Sequence, residues 1–415
     1  MWLLAKIFLF LLPFQWALPV LGEDIPLLRV FALVLVLLFL VKLLGENPLP
    51  LPPIIFFGLL LSWFLSLLLS LFLAGDWTLG LRKFVFLINL FSLVFIWYAL
   101  GTSREKRQIL LEWLIKGGMG AALIGLTFFA APWFWGVARV FHFLVERLLP
   151  FFLGERLTGI VAANASLLVN IGGETWLRVT AFFPDPHVAA FFFGITACLS
   201  LGLFLETQKR FWLIGAILLL LADLLTFSRG GYIGLLGASF IFLFFLPSKT
   251  WPGKLLLLFM AFFPLFFWFG MPIFERFVSA FTLADASSTD RLLLWQTAWD
   301  TWLTHPLFGV GLGNYAEWIH PGVGATLPYY AHNLYLDVIV EIGVVGLIFF
   351  LGLIGYAVQR VWQEARSGGI ALGVLAALVL YLTHSLFETA LFSVPVTILL
   401  TLLLAFSLPK AENSL

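Results

Sequence analysis

The amino-acid sequence predicts an all-α polytopic membrane protein with about twelve spanning helices and two longer external loops. Three observations carry that expectation. Of 415 residues, 62% are hydrophobic, 17% aromatic and 11% charged, against roughly 45–50% apolar and about 25% charged in soluble domains. A water-soluble body of this size could not hide so much apolar surface, so a soluble multi-domain enzyme and a disordered chain are both excluded. Apolar runs also recur near the ~20 residues that a spanning helix needs. They are too long, and too apolar on all sides, for the strands of an outer-membrane barrel. Finally, Lys and Arg are sorted between alternate connections.

The candidate spans are 2–20, 25–44, 54–74, 83–100, 109–131, 187–205, 211–227, 231–246, 254–270, 333–357, 370–389 and 391–408. The first run carries Lys6 and could pass for a signal peptide. No small-x-small cleavage site follows it and many apolar runs do, so it reads as a span. No fixed-period repeat, charge block or low-complexity tail interrupts the series, and residues 1–415 read as one integral membrane domain.

With a cytoplasmic N-terminus, the even-numbered connections hold Lys42, the Arg104/Lys106/Arg107 cluster, Lys209/Arg210, Lys249/Lys254 and Arg360/Arg366, with Lys410 at the C-terminal end. Both termini therefore read as cytoplasmic. The two long connections, 132–186 and 271–332, fall outside. External cations are nearly all arginine: Arg139, Arg147, Arg156, Arg178, Arg229, Arg276 and Arg291, with Lys83 the main exception. Arginine is the better residue for bidentate phosphate or carboxylate binding. Within 132–156, aromatics and cations alternate at helical spacing. This predicts amphipathic helix in the outer interface, with Trp133 and Trp135 at headgroup depth, as an anchor or as the wall of a lipid groove.

The net charge of +1 gives no bulk electrostatic reason to expect nucleic acid. Cys198, the single cysteine, permits neither an internal disulfide nor a Cys-based metal cage. No cofactor is implied.

Ionisable groups at membrane depth are costly and often functional, and four places stand out. In "WLRVTAFFPDPHVAAFF", Arg178 precedes a Pro184-Asp185-Pro186 breaker and has no obvious local partner, while Asp185 and His187 read first as helix-end caps. In "LLADLLTFSRGGYIGLL", Ser228, Arg229 and Gly230 precede a helix start, a natural anion site. A snorkelling Arg229, or one paired with Asp223, is the structural alternative. In "SSTDRLLLWQTAWDTWLTHPLFGVGLGNY", Ser287, Ser288, Thr289 and Asp290 offer caps to a helix carrying Arg291, Trp295 and Trp299. The glycine run lacks the βαβ context of a dinucleotide site and reads as a tight turn against the membrane, with a substrate loop as the alternative. In "YYAHNLYLDVIVEIGVVGLIFF", His332 and Asn333 stand at the external mouth of a helix with Asp337 and Glu341 at i,i+4. His332 is a cap or, because histidine titrates near neutrality, a proton acceptor.

These places occur in the order and setting of one family. The segments 178–193, 228–236, 290–315 and 331–347 resemble the O-antigen ligase and polymerase superfamily, multi-spanning glycosyltransferases of bacterial envelopes. Where that family usually has an Asn-Pro-Asn-like turn, this chain has Pro184-Asp185-Pro186-His187. The resemblance implies a GT-C-like architecture in the bacterial inner membrane, with the site facing the exterior. It implies transfer of a glycan from a polyprenyl (undecaprenyl) diphosphate donor to a lipid-linked or glycan acceptor hydroxyl. It further implies that Arg229 and Arg291, with Arg178, bind the donor diphosphate, that His332 is the general base, and that Ser228, Gly230, Asn333 and Asp337 support them. The residues suit that chemistry: arginine forks can stabilise charge growing on a diphosphate leaving group. There is no Asp-x-Asp pair of the kind a metal-held nucleotide-sugar would call for. Ligase and polymerase share these motifs. From a different class, a small-anion transporter would also use arginines and broken helices.

Overall fold

Prolines and polar caps set the ends of the apolar runs. The computed structural model describes residues 1–20, 23–45, 50–164, 166–171, 173–245, 286–320, 330–389 and 391–409. The span expected at 254–270, the cations Lys249, Lys254, Arg276 and Lys410, and much of the 271–332 connection lie outside the described residues. So do the side chains of Ser287, Ser288, Thr289 and Asp290.

Helices α1 (Trp2–Leu11), α2 (Leu27–Leu43), α3 (Ile54–Phe72), α4 (Trp77–Phe91), α5 (Leu93–Leu100) and α6 (Arg104–Ala130) form the first half of the bundle. Short helices follow: α7 (Pro132–Trp135), α8 (Val137–Phe143), α9 (Leu149–Leu153) and α10 (Glu155–Asn164). The second half comprises α11 (Pro186–Thr207), α12 (Arg210–Leu224), α13 (Arg229–Phe245), α14 (Ala286–Thr304), α15 (Tyr315–Ile319), α16 (Leu334–Glu364), α17 (Gly369–His384) and α18 (Val394–Ser407). Among the described residues, five helical stretches can cross a membrane by length and composition: Ile54–Phe72, Trp77–Leu100, Arg104–Trp135, Pro186–Thr207 and Leu334–Glu364. Trp2–Phe14, Arg229–Phe245, Gly369–His384 and Val394–Ser407 are shorter and apolar.

The all-α expectation holds apart from two hairpins. The run 2–20 does not stay helical. Pro13 lies in a closing 3₁₀ turn and Pro19 in strand β1 (Ala17–Val20), which pairs antiparallel with β2 (Glu23–Pro26). A proline inside a helix removes a backbone donor and clashes with the preceding turn, which is why the first helix stops early. The second hairpin joins β3 (Leu168–Ile171) to β4 (Glu174–Leu177), with Ile171 opposite Glu174. Two other runs also differ from expectation. The run 370–389 leaves the helix after His384, so Glu388 sits in a non-helical connection. The run 333–357 extends to Glu364 but is broken at Gly343, whose φ is +70°.

That break explains the glycine-rich stretch after α14. Val310 N–H donates to the Val340 carbonyl (2.8 Å) and Val344 N–H to the Pro306 carbonyl (2.9 Å), so the loop docks into the opened helix. A side chain at Gly343 would overlap the Leu307 carbonyl, and one at Gly309 the Val340 carbonyl. Asn314 then fixes the far end: its Oδ1 accepts from Asp76 N–H (2.6 Å) and its Nδ2 donates to the Asp76 carbonyl (3.0 Å). The stretch is a turn, as expected, but it is seated on other parts of the chain rather than against the membrane.

The core runs through both halves, and the most enclosed helices lie in the second. Helix α11 packs against α6, α12 and α17, and every residue of α18 is buried. The two ends of the bundle differ in chemistry. At one end Arg104 pairs with Glu206, whose carboxylate also accepts from Gly369 N–H (2.9 Å) at the start of α17. There the buried Arg107 donates to the carbonyls of Gly101, Phe406 and Leu408 at 2.8–2.9 Å, binding the C-terminal ends of α5 and α18. At the other end lie the starts of α11, α13 and α16.

Candidate active site

Three helix N-termini converge at that second end, each satisfied by a side chain in the manner of an N-cap. Asp185 accepts from His187 N–H (2.7 Å) and Val188 N–H (2.9 Å) at α11. Ser228 Oγ accepts from Gly231 N–H (3.2 Å) at α13. Asn333 accepts from Tyr335 N–H (3.0 Å) and Leu336 N–H (3.2 Å) at α16. The positive ends of three helix dipoles therefore face one region, alongside the arginines carried there.

His332 and Glu388 form the charged centre. His332 Nδ1 lies 2.8 Å from Glu388 Oε1, and Glu388 Oε2 lies 3.9 Å from His187 Nε2 and 4.0 Å from an Arg291 terminal nitrogen. The His332 side chain is 44% exposed and that of Glu388 13%, so the pair sits at the mouth of the site with histidine outermost. His332 has φ +50°, a left-handed conformation for a residue with a side chain; such strain persists where the surroundings over-determine it. Asp337 does much of that. It accepts from the N–H of Ala331 (2.8 Å), just before His332, and from the hydroxyl of Thr389, just after Glu388. One carboxylate thus fixes both halves of the pair.

The electrostatics follow from this packing. Glu388 and the hydrogen bond to it push His332 up from the usual histidine value. Burial works to raise the Glu388 carboxyl, but His332, His187 and Arg291 outweigh it and hold the group well below the usual carboxylate range. Burial, reinforced by Glu388, pushes Asp185 up to about 6.

Arg229 is buried (6% exposed) as the first residue of α13, with Ser228 before it and Gly230 pressed against His384. Arg178 is also buried, and it has the local partners that the sequence does not show. Its Nε donates to the Thr226 carbonyl (2.7 Å) and a terminal nitrogen to the Phe227 carbonyl (3.2 Å). It braces the turn that delivers Ser228 and Arg229. The Asp223–Arg229 pairing does not form: Asp223 is buried, and neither of its oxygens has a hydrogen bond among the described residues. Nor do Asp337 and Glu341 act as one carboxylate pair. Glu341 turns to Lys83, 2.7 Å from both of its oxygens, and that lysine lies 3.5 Å from the centre of the Phe392 ring. This buried pairing accounts for the one conspicuous external lysine.

His187, His384 and Glu388 are the site residues that motif reading misses. His187 Nδ1 is 2.9 Å from Ser228 Oγ, which is 3.4 Å from His384 Nε2; His384 stacks on Phe191. Asp185 caps as expected, but the His187 side chain belongs to this cluster. A signal existed for Glu388, since an acid at membrane depth needs a reason to be there. Hydropathy hid the turn that carries it. Among the described residues no three His, Cys, Asp or Glu are grouped to hold a metal ion.

Residues 214–351 match a family model described as O-Antigen ligase. The matched segment includes Ser228, Arg229, Gly230, Arg291, His332, Asn333 and Asp337, and supports placing the chain in the O-antigen ligase and polymerase superfamily. No curated protein matches the chain.

Proposed function

We propose, from the premise that residues 214–351 carry an O-antigen ligase domain, that the protein transfers a glycan from a polyprenyl diphosphate to an acceptor hydroxyl. The observation that carries this reading is the His332–Glu388 pair standing beside Arg291 where three capped helix starts meet. In this proposal the whole chain is one membrane domain of about twelve spans in a bacterial inner membrane. Both termini are cytoplasmic and the site opens outward.

The chemistry is an inverting displacement. The acceptor oxygen attacks the anomeric carbon, the bond from that carbon to the diphosphate oxygen breaks, and the polyprenyl diphosphate leaves with the electron pair. His332 Nε2 takes the acceptor proton, a role worth about 10²–10⁴-fold. With the Nδ1–H donated to Glu388, the Nε2 lone pair is the one left to face substrate. Arg229 and Arg291 stabilise the growing negative charge as bidentate donors, so the step requires no metal. Arg178 acts on the donor through the turn it braces. Asn333, Ser228, Gly230 and Asp337 hold the helix starts and the base in place.

Purified protein supplied with a polyprenyl-diphosphate glycan and an acceptor tests the reading. Loss of transfer in His332→Ala, with donor binding retained, is the expected result; full activity in that variant removes the base. Arg229→Lys keeps the charge and loses the fork, so unchanged donor binding removes the bidentate role. Extension of the donor glycan itself, rather than of a separate acceptor, would mark a polymerase. Anion uptake into proteoliposomes without transfer would mark a transporter.

A further inference from the structure

Behind the His332–Glu388 pair lies a chain of side chains of which the proposed displacement uses only Ser228, as a helix cap. Glu388 Oε2, buried and without a hydrogen-bond partner among the described residues, faces His187 Nε2 at 3.9 Å, longer than a hydrogen bond. His187 Nδ1 lies 2.9 Å from Ser228 Oγ, and Ser228 Oγ lies 3.4 Å from His384 Nε2. Ser228 and His384 are each 0% exposed. His384 Nδ1 is buried with no hydrogen-bond partner among the described residues.

That last atom sets the direction of the chain. A hydroxyl has one proton to give and two lone pairs, and Ser228 Oγ already accepts from Gly231 N–H. It can therefore receive one more donor and must donate to the remaining imidazole. If His384 carried its proton on Nδ1, or were doubly protonated, a buried N–H would be orphaned. A bare nitrogen lone pair in the same place costs less than an unsatisfied donor. So His384 holds its proton on Nε2 and donates to Ser228, Ser228 donates to His187 Nδ1, and His187 holds its proton on Nε2. That proton points at the Glu388 carboxylate. The opposite polarity would orphan the His384 donor and also turn a His187 lone pair toward a carboxylate oxygen.

We propose that His384, Ser228 and His187 form a polarised hydrogen-bond relay that presents an N–H to Glu388 from behind and so positions the carboxylate that orients His332. These are positioning residues, acting through Glu388. The role of Glu388 rests on the base reading given under Proposed function; the polarity of the relay does not. The ionisable groups around it are Asp185 and Arg178 on the α11 side, Asp223 and Arg229 at the α12–α13 turn, Arg291 on α14, and His332 and Asp337 at α16.

Nitrogen NMR of protein labelled with ¹⁵N at its six histidines, in detergent, tests the polarity directly. The expected spectrum at neutral pH has both His187 and His384 as neutral Nε2–H tautomers; an Nδ1–H or doubly protonated form of either overturns the relay. The kinetic arm compares three variants. Ser228→Ala and His384→Phe, the latter keeping a ring against Phe191, remove the relay and should lower kcat roughly tenfold or more. They should also move the acid limb of kcat/KM upward by a few tenths of a pH unit, because a carboxylate that no longer faces the His187 N–H dipole pulls harder on His332. His384→Gln supplies an amide N–H near the Nε2 position and should keep the limb where the unsubstituted protein has it. A fall in activity with no movement of the limb in the first two, or the same movement in His384→Gln, overturns the proposal. Should His332→Ala stay active, the base reading fails, and the tautomer spectra still decide the relay.

Discussion

Glu388 holds the balance of charge at the site, and its removal has a definite sign. The carboxylate raises His332, so in Glu388→Gln the base should lose its proton at lower pH. The acid limb of kcat/KM then moves down, while kcat falls roughly ten- to hundredfold as the imidazole loses its orienting partner. A pH-rate profile reads both; a limb that stays put contradicts the pairing. Stability runs the other way in pH. A histidine raised on folding contributes fully below its ordinary value of about 6.5, and that contribution fades as pH climbs through the raised value. Activity is gained over the window in which the pair's contribution to stability is lost. Asp223 gives a second test at this scale. Its oxygens are buried and without hydrogen bonds, so neutralising it removes a desolvation cost and breaks no contact. Asp223→Asn should melt no lower than the unsubstituted protein in detergent, and a clear drop would reveal a partner for that carboxylate. His332, Arg229 and Arg291 were legible as site residues because they sit in recognisable motifs. Glu388 and His384 stood out only as polar groups at membrane depth that would suit a transporter, because "LTHSLFETALF" is apolar enough to read straight through the turn that brings them to His332.

Among the elements, the broken helix α16 and the loop docked into it depend on residues without side chains. Gly343→Ala places a methyl against the Leu307 carbonyl at a backbone φ of +70°. With ψ at −177° this is a backbone region essentially confined to glycine, costing about 1–3 kcal/mol in a residue with Cβ, and the overlap adds to it. At Gly355 in the same helix an added methyl would meet nothing within 4 Å, so Gly355→Ala should be neutral or stabilising by up to ~1 kcal/mol. Thermal melts of the two variants should differ in sign, and equal melts would mean that the loop does not need the break. Sequence made the helices legible through hydropathy and the loop through its glycines. The hairpins were harder. The pattern Leu168-Val169-Asn170-Ile171, two glycines, then Glu174-Thr175-Trp176-Leu177 is a hairpin signal, but it lay in the 132–186 connection, where only the amphipathic stretch within 132–156 was assigned an element.

At the scale of the molecule, charge is sorted by end. Arg104, Arg107 and Glu206 gather at one end of the bundle, and Arg178, Arg229, Arg291, His332 and Glu388 at the other. The proposed orientation makes a labelling prediction. Cys198 is buried and should not react with a membrane-impermeant maleimide. Arg139→Cys should be labelled on intact cells, whereas Lys209→Cys should be labelled only after permeabilisation. Both positions are exposed. The reverse pattern would turn the site inward and contradict an external reaction.

Helix α18 is the last described helix in the chain, yet all of it is enclosed by others. Synthesis runs from the N-terminus, so every neighbour enters the membrane before the segment they surround exists. Until residues 394–407 emerge, the nascent bundle must carry an open slot that lipid tails fill. Through that interval Arg107 lacks two of its three acceptors, the Phe406 and Leu408 carbonyls. The bundle therefore closes from its centre, when this helix arrives. A chain cut before it would be left with a hole along its axis and an unanchored guanidinium, a form that membrane quality control can distinguish from the closed bundle.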